Sequence, residues 1–284
     1  MKILVTGGTG LVGRYLSKIL KSENSIFLSR RDCDITSFPE VKDVFFRVKP
    51  DVVFHLAAFT DVDASEYDPV FALKTNVTGT NNIALMAGKT GSYVIYVSTD
   101  FVFSGEKKKK YTEKDQPYPL SIYGKTKFEG ELIVSTICRE YCIVRTSRVF
   151  GKDGRNFASC LPQKLLRKQK LMITTDLINS PTYAKDLAKA LLDISSARFS
   201  GIIHFCNDGQ CSWYDFGLYI CELLRIDKSL LIPVSSKNFS SSQATRPDFS
   251  VLDTSLFSGV FYKPRSWQEA ASEYIRSEIK AEAC

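Results

Sequence analysis

Thr6-Gly7-Gly8-Thr9-Gly10-Leu11-Val12-Gly13 stands between a short apolar run, Lys2 to Val5, and a stretch in which Val12, Tyr15, Leu16, Ile19 and Leu20 recur at i, i+3, i+4, i+7 and i+8. The recurrence is one face of a helix, and the run before it reads as a strand. Glycines so spaced in a strand-to-helix turn permit a tight bend, let backbone approach a pyrophosphate, and bring helix close to strand. The anion is then held at the helix amino terminus. The stretch therefore predicts a dinucleotide site in the first turn of an α/β fold.

Apolar runs return at Ile26 to Leu28, Val52 to Leu56, Tyr93 to Val97 and Cys142 to Val144, separated by segments long enough for helical crossovers. Runs of this kind without polar alternation are strands buried on both faces, so the expectation is a Rossmann-type doubly wound parallel sheet. Further on, Thr182 is a candidate cap for a helix striped by Ala184, Leu187, Ala188, Leu191 and Leu192, and Ile202 to Phe205 resembles one more strand. A helix from Trp213 to about Leu224, a serine-rich loop at Ser235 to Ser242 and an amphipathic helix after Pro264 complete the chain. The expected division is a dinucleotide-binding domain over residues 1–149, with 172–206 returning to it, and a smaller carboxy-terminal substrate-binding cap formed mainly from 150–284.

The 284 residues, 44% hydrophobic and 24% charged, have the balance of an ordinary globular protein. No apolar run approaches the 18 or so residues that cross a bilayer, and the apolar amino terminus is too short for a signal peptide core. A membrane partner is not expected, and the setting is read as cytoplasmic. Eight cysteines without a CxxC pair and two distant histidines, His55 and His204, give no zinc pattern, so reduced thiols and no metal are expected. Cys138 and Cys142 could share a helical face. The net charge of +7 suits an anionic ligand and is too mild to demand nucleic acid. Lys107 to Lys110 reads as a solvated loop.

A NAD site usually carries an acid at the end of the second strand for the ribose 2′-hydroxyl. Here that strand ends Leu28-Ser29-Arg30-Arg31, and arginine forks suit a 2′-phosphate, so NADPH is expected, with NADH admitted. A second signal is Tyr123-Gly124-Lys125-Thr126-Lys127, preceded by Ser98-Thr99-Asp100 at a strand end. On a helix, Tyr123 and Lys127 share a face, and a cation beside the phenol would bring its pKa down from near 10 toward the working range.

These stretches, together with His55-Leu56-Ala57-Ala58, Asn76-Val77-Thr78-Gly79-Thr80-Asn81 and Ser98 to Phe103, resemble the extended short-chain dehydrogenase/reductases. Asp34-Ile35-Thr36, Ala58-Phe59-Thr60-Asp61-Val62-Asp63, Pro119 to Lys125, Arg145-Thr146-Ser147, Ser180-Pro181-Thr182-Tyr183 and Arg246-Pro247 narrow the likeness to the dTDP-4-dehydrorhamnose reductase family, over nearly the whole chain. The resemblance implies an NADPH-dependent reductase of a nucleotide-linked 4-keto sugar, with a nucleotide-diphosphate sugar as partner and a homodimer admitted. Gly7, Gly10, Leu11, Val12 and Gly13 would meet the pyrophosphate, Arg30 and Arg31 the 2′-phosphate, and Asp34 and Ile35 the adenine. Ala57, Ala58, Phe59 and Thr60 would lie on the ribose and nicotinamide side, with Tyr123 and Lys127. Thr99, Tyr123 and Lys127 would form the catalytic set, and Thr60, Val62, Thr99, Asp100, Phe101, Arg148 and Arg246 would meet the sugar nucleotide.

Departures from the family pattern bear on the substrate. The family often has tryptophan where Arg148 stands and tyrosine where Phe101 stands. Some members carry a magnesium-binding glutamate at the position of Tyr15, so no metal is implied here. Arg148 is expected to face an anionic part of the ligand, or else to turn outward or pair with a nearby carboxylate such as Asp153. Phe101 follows Asp100 where sugar 4,6-dehydratases place a glutamate, so elimination lacks its base. The alternative is a non-catalytic dinucleotide-binding subunit resembling the beta subunit of methionine adenosyltransferase, because fold likeness alone does not establish activity.

Overall fold

The computed structural model describes residues 1–20, 24–238 and 243–279. Ten strands alternate with eleven α-helices among these residues: β1 (Ile3–Thr6), α1 (Leu11–Ile19), β2 (Ser25–Leu28), α2 (Phe38–Val48), β3 (Val52–His55), α3 (Val62–Tyr67), α4 (Pro69–Leu73), α5 (Gly79–Thr90), β4 (Tyr93–Thr99), α6 (Ile122–Ile137), β5 (Tyr141–Thr146), β6 (Val149–Phe150), α7 (Phe157–Leu166), β7 (Leu171–Thr174), β8 (Thr182–Tyr183), α8 (Ala184–Ala197), β9 (Gly201–His204), α9 (Trp213–Leu224), β10 (Leu231–Val234), α10 (Ser255–Val260) and α11 (Trp267–Tyr274). Six strands form one parallel sheet in the order β2-β1-β3-β4-β5-β9. The order turns back between β1 and β3, and in open sheets of this kind ligands bind beyond the carboxyl ends of the strands at that switch point.

Side chains alternate across the sheet. Ile3 and Val5 of β1 belong to one apolar cluster and Leu4 to the other. On the first face α1 packs against α8, and the same cluster continues without interruption into α7, α9 and α11 of the carboxy-terminal part. On the second face α5 lies between α2 and α6. The smaller sheets are two parallel pairs, β7 with β10 and β6 with β8. Residues 172–183 therefore lie outside the main sheet, whereas α8 and β9 are part of that layer.

Three local expectations change in the folded chain. Thr182 does not cap α8: it sits in β8, and Tyr183 occupies the cap position without a side-chain bond. Ile19, the last residue of α1, is exposed. Cys138 ends α6 while Cys142 lies in β5, so they share no helix. The described cysteines are all free thiols. Lys107 binds both oxygens of Asp115, and Lys108 to Lys110 are exposed. Residues 239–242 of the serine-rich stretch lie outside the described residues. Among the described residues no helix is long and apolar enough to cross a membrane.

Both histidines are interior residues. His55 Nδ1 lies 2.7 Å from the Thr6 hydroxyl and Nε2 3.0 Å from that of Thr80, while His204 Nδ1 lies 3.1 Å from the Tyr111 carbonyl. Burial pushes each imidazole down to about 3, helped by Lys127 at His55 and by Arg145 at His204. An unfolded histidine titrates near 6.5, so the stability these neutral rings contribute is present above that pH and is lost as pH falls toward the folded value. Denaturant titrations should show stability dropping by roughly 3 kcal/mol between pH 6.5 and pH 5 when both rings contribute. A flat profile over that window would contradict their neutral burial.

Candidate active site

The glycine turn is shaped by contacts that leave no room for a side chain. Gly7 has φ +68°, and a Cβ there would come within 2.7 Å of the Ala57 nitrogen. A Cβ at Gly13 would meet the Gly7 and Gly8 carbonyl oxygens at 2.6 Å, so Gly13 lets α1 close on β1. Gly10 is the residue before α1, its N–H donating to the Gly7 carbonyl, and no side chain caps the helix. The first-turn N–H groups of this nine-residue helix can thus accept an anion.

A cavity of about 270 Å³ opens over this turn, at the ends of β1, β2 and β3. Of the residues expected to hold a dinucleotide, Gly7, Gly10, Arg30, Asp34, Ile35, Ala57, Ala58 and Phe59 line it. Leu11, Val12, Gly13, Arg31, Thr60, Tyr123 and Lys127 are not in its wall; Gly13 works from behind, and Arg31 is exposed. The wall also includes Thr9 and Ser29, which stand inside the quoted motifs without an assigned role, and Cys33 and Phe71, which no motif marked. Arg30 stands at the rim, its guanidinium 5.2 Å from the centre of the Phe71 ring and 3.8 Å from Asp34. The Thr36 N–H holds the Asp34 carboxyl below its usual range.

On the neighbouring strand, Thr99 ends β4 and Tyr123 lies in the first turn of α6, whose cap Ser121 accepts from the Gly124 N–H at 3.1 Å. Gly124 is required because the Phe101 carbonyl fills the space a side chain would take. The Phe101 ring meets Tyr123 edge-on, 5.6 Å between centres. Lys127, one turn on, is buried with its ammonium 3.9 Å from the centre of the Tyr96 ring.

The electrostatics differ from the expectation for Tyr123. Burial pushes its phenol up to about 12, against the hydrogen bond with Thr99, and Asp100 adds to the rise. The Lys127 ammonium faces Tyr96 and does not bring the phenol down. Lys127 itself falls to about 7, because burial outweighs the attraction of Glu131.

Among the supporting residues, Asn76 and Asp100 are legible only as parts of motifs, and Glu131 lies in none. Asn76 accepts from the Phe59 N–H at 2.7 Å and donates to the Phe59 carbonyl and to Thr126, so it ties the cavity loop to α6. Glu131 takes two bonds from Arg145 and one from Ser98 in the interior. Asp100 is 1% exposed and accepts from Ser147, Ser250 and Thr99, and burial raises its pKa. Enclosed by these partners, it lines neither cavity, contrary to the expected substrate contact.

A larger cavity of about 620 Å³ is walled by Asp63, Phe157, Met172, Leu177, Trp213, Lys237 and Arg246, among others. Of the expected substrate residues only Arg246 lines it, and Thr60, Val62, Thr99, Asp100, Phe101 and Arg148 do not. Arg148 does not pair with Asp153 and is absent from the wall of the larger cavity. Its guanidinium stacks 4.0 Å from the centre of the Trp213 ring and donates to the Leu177 carbonyl at 2.8 Å, so it stands behind two wall residues. Burial brings it down to about 9. The Asp153 carbonyl instead accepts from Arg14. Trp213 and Lys237 carry no sequence signal, since a lone tryptophan or lysine in a helix or loop is compatible with any role.

A parallel sheet with an uncapped glycine turn at its switch point, and Thr99, Tyr123 and Lys127 at the next strand end, defines a dinucleotide-binding α/β protein of the extended short-chain dehydrogenase/reductase type. Comparison with known proteins agrees and is more specific. The chain belongs to the family described as RmlD substrate binding domain, whose model matches residues 1–279. It is 35% identical over 282 residues to the spore coat polysaccharide biosynthesis protein SpsK of Bacillus subtilis (strain 168), covering 99% of both chains. It is similar to the crystal structure of a dTDP-4-dehydrorhamnose reductase from Clostridium acetobutylicum ATCC 824, with TM-score 0.92, 37% identity, and 97% and 99% of the two chains covered. The dTDP-4-dehydrorhamnose reductase of Bacillus anthracis str. Ames, in complex with NADP, aligns with TM-score 0.92 and 31% identity, again over 97% and 99%.

Proposed function

We propose that this protein is an NADPH-dependent reductase of a nucleotide-linked 4-keto sugar of the dTDP-4-dehydrorhamnose kind. The observation that carries the reading is the placing of Thr99, which ends β4, near the buried Tyr123 in the first turn of α6, beside the strand whose end walls the glycine-turn cavity. The relatives named as such reductases, one of them holding NADP, support it. Gly10, the open first turn of α1 and Arg30 suit the phosphates of a dinucleotide. Bound there, a reduced nicotinamide would supply the hydride.

In this reading the Thr99 hydroxyl turns from Asp100 to donate to the ketone oxygen, and Tyr123 gives that oxygen its proton as it becomes an alkoxide. A phenol held near 12 stays protonated at neutral pH and is still more acidic than an alcohol, so it is set for the reducing direction. Lys127, with a pKa near 7, is available to hold the nicotinamide ribose and to return a proton. The larger cavity takes the sugar nucleotide. Free thiols throughout the described chain suit a reducing cytoplasm.

The deciding experiment is oxidation of NADPH in the presence of dTDP-4-dehydrorhamnose and related 4-keto sugars. Turnover supports the reductase, and tight NADPH binding without turnover on any of them would favour the regulatory alternative. Cofactor choice is a separate expected result. Arg30 should favour NADPH over NADH by about ten- to a hundred-fold in affinity, the weight of one charge-assisted contact to phosphate. Calorimetric titration checks this, with Arg30→Ala removing the difference. Equal affinities for the two cofactors in the unmodified protein would return Arg30 to the role of a surface partner of Asp34.

A further inference from the structure

Asp63, the second residue of α3, gathers a distant segment of chain. Its Oδ1 accepts from the backbone N–H groups of Gln243 and Ala244 at 3.0 and 3.1 Å and from Arg246 Nη1 at 3.2 Å, and its Oδ2 accepts from Arg246 Nη2 at 2.6 Å. Asp63, Ala244, Thr245, Arg246 and Asp248 all line the 620 Å³ cavity.

The same segment is held again further along. Gly105, at φ +84°, has no room for a Cβ because Pro247 and the Asp248 nitrogen lie 2.6 and 2.7 Å from where it would be. The Asp248 carbonyl accepts from the Ile178 N–H, and Ser250 donates to Asp100, the neighbour of Thr99. Residues 243–250 thus form a strap fastened by two carboxylates of the dinucleotide half. At the Ser250 end the fastening is fully enclosed, whereas Asp63 and Arg246 are about one-third exposed, at 33% and 28%.

We infer that Asp63 is a positioning residue for the sugar nucleotide: it fixes the strap as one wall of the larger cavity and aims Arg246 along it. The inference rests on the proposed reductase reading for the identity of the ligand. α3 begins shortly after Phe59 of the dinucleotide cavity, and its Asp63 lines the larger one, so the element touches both sites. A fork bonded at both nitrogens by one carboxylate has a defined plane, which a single amide oxygen cannot impose. Loss of that constraint weakens ligand capture without touching Thr99, Tyr123 or Lys127.

The test compares the intact protein with Asp63→Asn and Asp63→Glu in three measurements: calorimetric affinity for dTDP and for NADPH, KM and kcat on dTDP-4-dehydrorhamnose, and Tm. For Asp63→Asn the expected result is dTDP affinity weaker and KM higher by about ten-fold or more. NADPH affinity and kcat should stay within about threefold and Tm nearly unchanged, as for a part-exposed ion pair. Asp63→Glu should recover part of the loss. Unchanged dTDP affinity and KM in Asp63→Asn would overturn the inference. So would a parallel fall of all parameters with a large drop in Tm, which is the mark of a structural role, or failure of the unmodified protein to bind dTDP. If the unmodified protein binds dTDP but turns over no keto sugar, the reductase reading fails, while the dTDP affinities still decide the role of Asp63.

Discussion

Replacing Tyr123 with phenylalanine should lower turnover by about 100-fold or more while leaving NADPH affinity within a few-fold, the usual weight of a positioned acid. The ring keeps its edge-on contact with Phe101 and its place in the first turn of α6, so the fold is undisturbed. What disappears is a phenol proton that stays in place at neutral pH close to Thr99. Single-turnover NADPH oxidation measured beside equilibrium NADPH binding separates the two effects. Turnover that survives the substitution would eliminate Tyr123 as the proton donor.

The other large effect expected is on stability. Glu131 and Arg145 join α6 to β5 with side chains only 3% and 2% exposed, through bonds of 2.9 and 2.7 Å, and Glu131 also takes the Ser98 hydroxyl. The Arg145 guanidinium lies 5.1 Å from the centre of the Phe103 ring. Glu131→Gln leaves a buried cation without its counter-charge, and breaking such a pair from one side costs about 3 to 5 kcal/mol. Urea denaturation should show that loss, and the double change Glu131→Leu with Arg145→Met should cost less than Glu131→Gln alone. A one-sided loss below about 1 kcal/mol would mean that water reaches the pair. Glu131 also attracts the Lys127 proton, so Glu131→Gln moves Lys127 further down from about 7.

The parts of this molecule that could be read in the sequence are those set by neighbours along the chain. The glycine turn needs small residues at fixed spacing, Tyr123 and Lys127 need only a helix to share a face, and strands buried on both sides declare themselves as apolar runs. The rest depends on burial, which spacing does not report. The phenol of Tyr123 is shifted by what encloses it and not by the cation four residues on. Arg148 is turned toward Trp213 by a backbone at φ +43°. Asp63 and Arg246 lie 183 residues apart, and no local pattern couples them. Thr182 has the chemistry of a cap, yet its backbone N–H donates to the Arg148 carbonyl in a two-residue strand pair, so the sheet took precedence over the local preference.

The return of α8 and β9 to the main layer means that the carboxy-terminal half cannot be exchanged as a cassette. A cut after residue 150 would strip β9 from β5 and leave Cys142 to Arg145 with an open row of backbone donors and acceptors, a template for aggregation. It would also bare the side of α1 that meets α8. A chimera that borrows the wall of the larger cavity from a relative must keep residues 184–204 from the parent that supplies the glycine turn. Recombination between such proteins is then confined to two separated insertions, one on each side of that return.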